Sequence, residues 1–178
     1  MNLARARALL AVLIATVATV IAATSASLPA TVGANFTRGG RVISFQPRET
    51  YRTMMLLFAL LAPVATYALA GWVPRLVSGL LHIPNRDVWL APERRAATLD
   101  WIERHAAVTA AVVALFILAL HLITSRANRL QPPRFEAWAW GSISAAWILF
   151  VIASAVAYQL RFRRRPETAA PAAPLEPR

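Results

Sequence analysis

The chain has 178 residues, 58% of them hydrophobic and only 15% charged, with a formal net charge of +11. That balance excludes an ordinary soluble domain and marks a membrane protein, and the lack of cysteine excludes disulfides, thiolate metal ligands and a cysteine nucleophile. All 19 positive side chains are arginine, as a compositional bias of the source genome would give. They are scattered through loops and form no stripe on a soluble face, so nucleic acid is not an expected partner.

A bilayer core about 30 Å thick needs roughly 20 mostly apolar residues to cross it. Four such runs occur, and they predict an all-α integral membrane fold with four transmembrane helices in residues 1–165. The first run, ALLAVLIATVATVIAA over 8–23, follows Arg5 and Arg7 and precedes TSAS, a pattern shared with secretory signal peptides. Its length and the three later spans favour an uncleaved anchor. In the loop 24–53, TVGANF and RVISFQ are joined by TRGG, whose glycines permit positive φ, and this predicts a small extracytoplasmic hairpin. Its arginines Arg38, Arg41 and Arg48 are either solvated or in contact with lipid phosphates.

The second span, 54–73, carries Pro63, where a missing donor and a ring clash predict a kink. In the loop 74–105, PRLVSGLLHIP places Leu76, Val77, Leu80 and Leu81 on one helical face, as a short interfacial helix would. NRDVWL suits a turn or cap at Asn85 and Asp87. APERRAATLDWIERH begins a helix at Pro92, with Glu93 in its first turn and Asp100 spaced to pair with Arg104. That helix is expected to run on into the third span, 106–123. The fourth, 137–160, has Trp138 and Trp140 at one end and Tyr158 at the other, as aromatic belts would place them. The proline- and alanine-rich tail 166–178 reads as disordered.

Arginines near the spans set the orientation. With a cytoplasmic N-terminus, Arg5, Arg7, Arg75, Arg86, Arg94, Arg95, Arg104, Arg161, Arg163, Arg164 and Arg165 lie inside, against Arg38, Arg41, Arg48, Arg52, Arg126, Arg129 and Arg134 outside. The bias predicts a multi-pass protein of an inner (plasma) membrane with both termini cytoplasmic, the loop 74–105 inside and the hairpin outside.

Two stretches carry a family resemblance. LPATVGANFTRGGRVISFQPRETY resembles the extracytoplasmic segment of the domain-of-unknown-function family 1648, with Asn35, Ser44 and Phe45 standing where that family usually has histidine, glycine and tryptophan. IPNRDVWLAPERRAATL resembles another of its segments, at Pro84, Asn85, Arg86, Asp87, Trp89, Leu90, Pro92, Glu93, Arg94 and Arg95. The resemblance covers roughly residues 25 to 130. It implies a small multi-span bacterial membrane protein, related to a wider group that includes toxin-immunity and signalling proteins, and implies no known activity.

Candidate chemistry is sparse. His82 and His105 lie on one side of the bilayer and His121 about 24 Å further along one helix, so the three cannot form a metal site, and His121 near a span end reads as an ordinary interfacial imidazole. No serine sits in a G-x-S-x-G context, no H-E-x-x-H is present, and no acidic residue falls inside an apolar run. Neither enzyme, transporter nor cofactor is expected. Small residues spaced by four, Ala11, Ala15, Thr19 and Ala23 on the first span and Gly141 with Ala145 on the fourth, favour close helix contact within the bundle or in a homo-oligomer. The candidate interaction residues are Asn35, Phe36 and Arg38 of the hairpin, and Asn85, Arg86, Asp87, Trp89, Glu93, Arg94 and Arg95 of the inner loop. Either Arg86, Asp87, Glu93, Arg94 and Arg95 form a mutual ionic network that fixes the loop, or they hold lipid headgroups or an acidic partner. The expected partners are the bilayer and a membrane or envelope protein. The expected function is immunity or signalling, through an extracytoplasmic factor; an accessory subunit of a larger membrane complex is the alternative.

Overall fold

The computed structural model describes residues 2–37 and 39–163, with the backbone alone at Leu80. Arg38, Arg164, Arg165 and the tail 166–178 lie outside the described residues. Four helices are long and apolar enough to cross a membrane, Leu3–Ser25, Arg48–Leu76, Pro92–Ala127 and Ala137–Arg163, so the chain is a predominantly helical, multi-pass membrane protein. Each outruns its apolar run because a chain in lipid must satisfy its own backbone, and the helix continues until polar caps or water take over.

α1 (Leu3–Ser25) starts where Asn2 Oδ1 accepts the Arg5 N–H at 2.9 Å, a side-chain N-cap. It buries Ala6, Leu10, Ile14, Val17 and Ile21, spaced by three and four along one face, against α2 (Arg48–Tyr67) and α5 (Pro92–Ala127). The small-residue stripe Ala11, Ala15, Thr19 and Ala23 faces away from the bundle, as do Gly141 and Ala145, so intramolecular packing does not use them. Leucine and isoleucine knobs make the interface on the α1 side, and alanines on the α5 side receive them.

β1 (Thr31–Phe36) and β2 (Val42–Pro47) pair antiparallel, giving the hairpin the sequence predicts. Gly40 has φ +80°, and a Cβ there would lie 2.1 Å from the Phe135 carbonyl oxygen. Its own carbonyl accepts the Phe135 N–H at 2.8 Å, which ties the hairpin turn to the connection before the last helix. Leu28, Val32 and Tyr51 form a small core under the strands.

α2 (Arg48–Tyr67) runs on through Pro63, and the departure from α geometry falls later, in a π-helical turn over Ala68–Trp72, before α3 (Val73–Leu76). Gly71 lies in that turn, at a close approach to α5 (Pro92–Ala127). A Cβ on it would lie 2.9 Å from Ala106 Cβ. The expected continuous interfacial helix does not form. Val77 leaves helical space (φ −128°, ψ 72°), a short 3-10 turn follows over Ser78–Leu80, and Leu76 and Val77 are exposed while Leu81 is buried. α4 (Arg86–Trp89) follows Asn85, which takes a left-handed conformation (φ 55°, ψ 40°) that asparagine tolerates. α5 begins at Pro92 and continues unbroken into the third span, as expected. α6 (Ala137–Arg163) lies beside α5 with little of its surface buried. The bundle is therefore a three-helix core of α1, α2 and α5 with α6 at its margin.

The close approach at Gly71 can be tested by overpacking. Gly71→Val should lower unfolding stability in mild detergent by about 1–3 kcal/mol, whereas Gly141→Val, with nothing within 4 Å of its Cβ position, should leave it nearly unchanged. Equal effects at the two positions would contradict the packing.

Candidate functional site

Three polar assemblies sit on the bundle, and a cavity lies beside one of them. At the end nearest the loop 74–105, Glu103 of α5 is fully buried. Its carboxylate accepts from Arg7 Nε of α1 at 2.8 Å, from the Tyr67 hydroxyl of α2 and from Arg75 Nε of α3. Tyr67 in turn accepts from Arg7 Nε at 2.9 Å. Arg75 also pairs with Asp100, so the expected Asp100–Arg104 pair is not the one formed. The cross-helix partner wins because Arg75 reaches Asp100 and Glu103 together, one turn apart on the same face of α5.

At the hairpin end, His121 is fully buried rather than interfacial. Its Nε2 lies 2.7 Å from Thr24 Oγ1 and 3.3 Å from Ser125 Oγ, and its Nδ1 lies 3.0 Å from the Tyr51 hydroxyl. The Thr24 hydroxyl donates to the Val20 carbonyl at 2.6 Å. That hydrogen bond leaves Thr24 an acceptor toward the ring, which assigns the proton to Nε2 and makes Nδ1 the acceptor from Tyr51. Two helical turns beyond His121, Asn128 accepts the Gly33 N–H at 2.7 Å and donates to the Gly33 carbonyl at 2.9 Å, clamping β1 onto α5.

The third assembly answers for the inner-loop motif. α6 is described as far as Arg163, and carbonyls of its last described turn accept hydrogen bonds from the inner loop. Trp89 Nε1 donates to the Phe162 carbonyl at 3.1 Å, and Asn85 Nδ2 donates to the carbonyls of Phe162 and Arg163 at 3.2 and 3.4 Å. The Arg161 guanidinium lies 4.9 Å from the centre of the Trp89 ring, within cation–π range. Thus Asn85 and Trp89 hold the last described turn of α6. The mutual network expected among Arg86, Asp87, Glu93, Arg94 and Arg95 is absent among the described residues. Arg86 and Arg95 turn instead to Ser78, and Glu93 and Arg94 lie along the solvent-facing start of α5.

A cavity of about 650 Å³ opens beside the hairpin. Asn35 and Phe36 of β1, Tyr51 of α2, Thr124 of α5, and Phe135 and Trp140 near the start of α6 line it. Two of the three hairpin residues expected to interact therefore share its wall, and Asn35 is held there by donating to Ser44 Oγ at 2.8 Å. Gly40 and Phe135, joined by the backbone hydrogen bond between the hairpin turn and the connection before α6, both line the cavity.

One hydroxyl–imidazole pair of nucleophile-and-base type was not legible in the sequence: Ser154 Oγ of α6 lies 2.8 Å from His105 Nε2 of α5. His105 stacks on Trp101, with centroids 5.1 Å apart, and both members sit within long helices whose backbone N–H groups are already committed. The pair is an interhelical hydrogen bond that joins α6 to α5. The signal for the Glu103 assembly was present but diffuse: Arg7, Arg75 and Glu103 each flank an apolar run, and only the bundle brings them to one end.

Comparison with models of protein families, with curated proteins and with solved structures finds no match for this chain.

Proposed function

We propose that this chain is a non-catalytic protein of a bacterial inner membrane that binds an extracytoplasmic factor in the cavity beside its hairpin, as an immunity or signalling protein would. The observation that carries the reading is the cavity itself. Its wall combines aromatic surface from Phe36, Phe135 and Trp140 with the polar groups of Asn35, Tyr51 and Thr124, which is the pattern of a binding site. Its walls come from the hairpin and three helices, so an occupant would bear on α2, α5 and α6 at once. In this reading the hairpin faces the extracytoplasmic side, and the loop 74–105 and both chain ends face the cytoplasm, as the arginine distribution favours.

A second reading, an accessory subunit of a larger membrane complex or a homo-oligomer, is favoured by the outward small-residue face of α1 at Ala11, Ala15, Thr19 and Ala23.

Orientation is tested with single cysteines in this cysteine-free chain. Gly39→Cys and Leu130→Cys, both exposed at the hairpin end, should react with an impermeant thiol reagent in intact cells, and Ala97→Cys should react only after lysis. External labelling at Ala97 would reverse the orientation. Binding is tested by a photocrosslinking amino acid at Trp140 in living cells. It should capture an envelope factor that a probe at the lipid-facing Phe58 does not, and filling the cavity with Ala137→Trp should abolish the capture. Capture equal at the two positions, or insensitive to the filling substitution, would remove the cavity from the account.

A further inference from the structure

A second hollow, of about 430 Å³, lies at the opposite end of the bundle and is lined by Ser78, Arg86, Asp87, Leu90 and Arg95. Five of the described arginines pair with carboxylates, and Arg86 and Arg95 are among the ten that do not. Arg7 and Arg75 meet Glu103, Arg48 and Arg52 meet Glu49, and Arg126 meets Glu136. Arg86 and Arg95 meet no carboxylate among the described residues. Both turn to one serine, Arg86 Nη2 donating to the Ser78 carbonyl at 3.4 Å and Arg95 Nη2 to Ser78 Oγ at 3.1 Å. Each guanidinium carries five N–H donors, so most of their hydrogen-bonding capacity is left for an acceptor seated between them. Asp87 lines the same hollow and forms no ion pair among the described residues.

The surroundings say what kind of acceptor fits. Leu76 and Val77, immediately before Ser78, are 62% and 49% exposed, apolar, and at the very end of a membrane-spanning segment. A ligand that meets both the arginines and these side chains carries a phosphate at the membrane surface and hydrocarbon below it. Two arginines recognise a phosphodiester through charge-assisted hydrogen bonds. Asp87 then selects among phospholipids. A headgroup whose only charge is the phosphate would bring an anion to Asp87 with no compensating cation, whereas a primary ammonium supplies the cation and three N–H donors.

We propose that the hollow between Ser78, Arg86, Asp87 and Arg95 is a binding site for a phospholipid with a primary-ammonium headgroup, of the phosphatidylethanolamine type. The phosphate sits on Arg86 and Arg95, the ammonium on Asp87, and the acyl chains run along Leu76 and Val77. The site is independent of what occupies the cavity at the hairpin end. Because α4 carries Arg86, Asp87 and Trp89 on one turn, and Trp89 donates to the Phe162 carbonyl, the bound lipid would hold the last described turn of α6 in place as well as the loop.

The test is native mass spectrometry of the full-length protein released from nanodiscs of equal phosphatidylethanolamine, phosphatidylglycerol and phosphatidylcholine. The wild type should retain phosphatidylethanolamine about tenfold over the other two, the scale of one charge-assisted contact. The variant with Arg86→Gln and Arg95→Gln should lose retention of all three lipids. Asp87→Asn should keep phosphate-dependent retention but bring phosphatidylethanolamine down to the level of phosphatidylglycerol. These side chains are exposed, and unchanged thermal unfolding of the variants in lipid-free detergent separates lipid loss from misfolding. A large excess of chain-free glycerophosphoethanolamine should not displace the lipid. Equal retention of the three lipids by the wild type, a preference for phosphatidylglycerol, a preference that survives either variant, or displacement by the chain-free headgroup would each overturn the proposal.

Discussion

Burial of one carboxylate governs how this bundle is put together. Glu103 has no access to water, and an ionised carboxylate taken out of water costs several kcal/mol unless donors surround it. Its donors come from three separate elements, Arg7 of α1, Tyr67 of α2 and Arg75 of α3. Rotating or sliding α1 or α2 against α5 would withdraw a donor from a group that cannot find another. The carboxylate thereby fixes helix rotation and depth, which apolar packing in lipid does only weakly, since lipid tails are as apolar as leucine. His121 repeats the device 18 residues further along α5, about 27 Å at helical rise, where Thr24 and Tyr51 bring α1 and α2 together again. Between the two, Gly71 and the alanines at 106, 107, 110 and 114 let the helices close.

α6 is attached on different terms. Neither buried assembly reaches it, and near Arg163 it is held by hydrogen bonds from Asn85 and Trp89 to its carbonyls and by a cluster of Trp89, Trp101, Tyr158 and Phe162. At its other end the contacts are Phe135 against Phe36 and Trp140, and the cavity lies among them. A rigid three-helix core with a marginal fourth helix is an arrangement in which an occupant at the hairpin end can bias the position of α6, and the α6 terminus in turn rests on the inner loop. This coupling is the physical content of the sensing role proposed for the chain.

Local chemistry made some of this legible in the sequence, and long-range geometry hid the rest. The spans follow from run length, and the hairpin follows from two short runs around a glycine pair, because both depend on neighbouring residues alone. The helix beginning at Pro92 likewise announced itself by its own first turn. What failed were statements about partners. Asp100 looked committed to Arg104 four residues on, but Arg75 from another helix displaced it. His121 looked interfacial because it ends an apolar run, yet Thr24 of α1 and Tyr51 of α2 close over it. The interfacial helix over 74–81 satisfied a helical period, but Val77 breaks it so that Arg75 can face inward while Leu81 packs under Trp89. In the motif around Asn85, residue types signalled a specific structure, and only the fold showed that Asn85 and Trp89 serve the end of a helix 70 or more residues away.

The claim that a shared buried carboxylate locks the core is tested most directly by a double-mutant cycle on Arg75→Ala and Glu103→Gln, read as unfolding free energies in one detergent. The account predicts that the two substitutions are strongly non-additive, with a coupling of about 1–3 kcal/mol, because each removes the same interaction. Additive losses, within about 0.5 kcal/mol, would mean that the two side chains stabilise the fold separately and would contradict the claim.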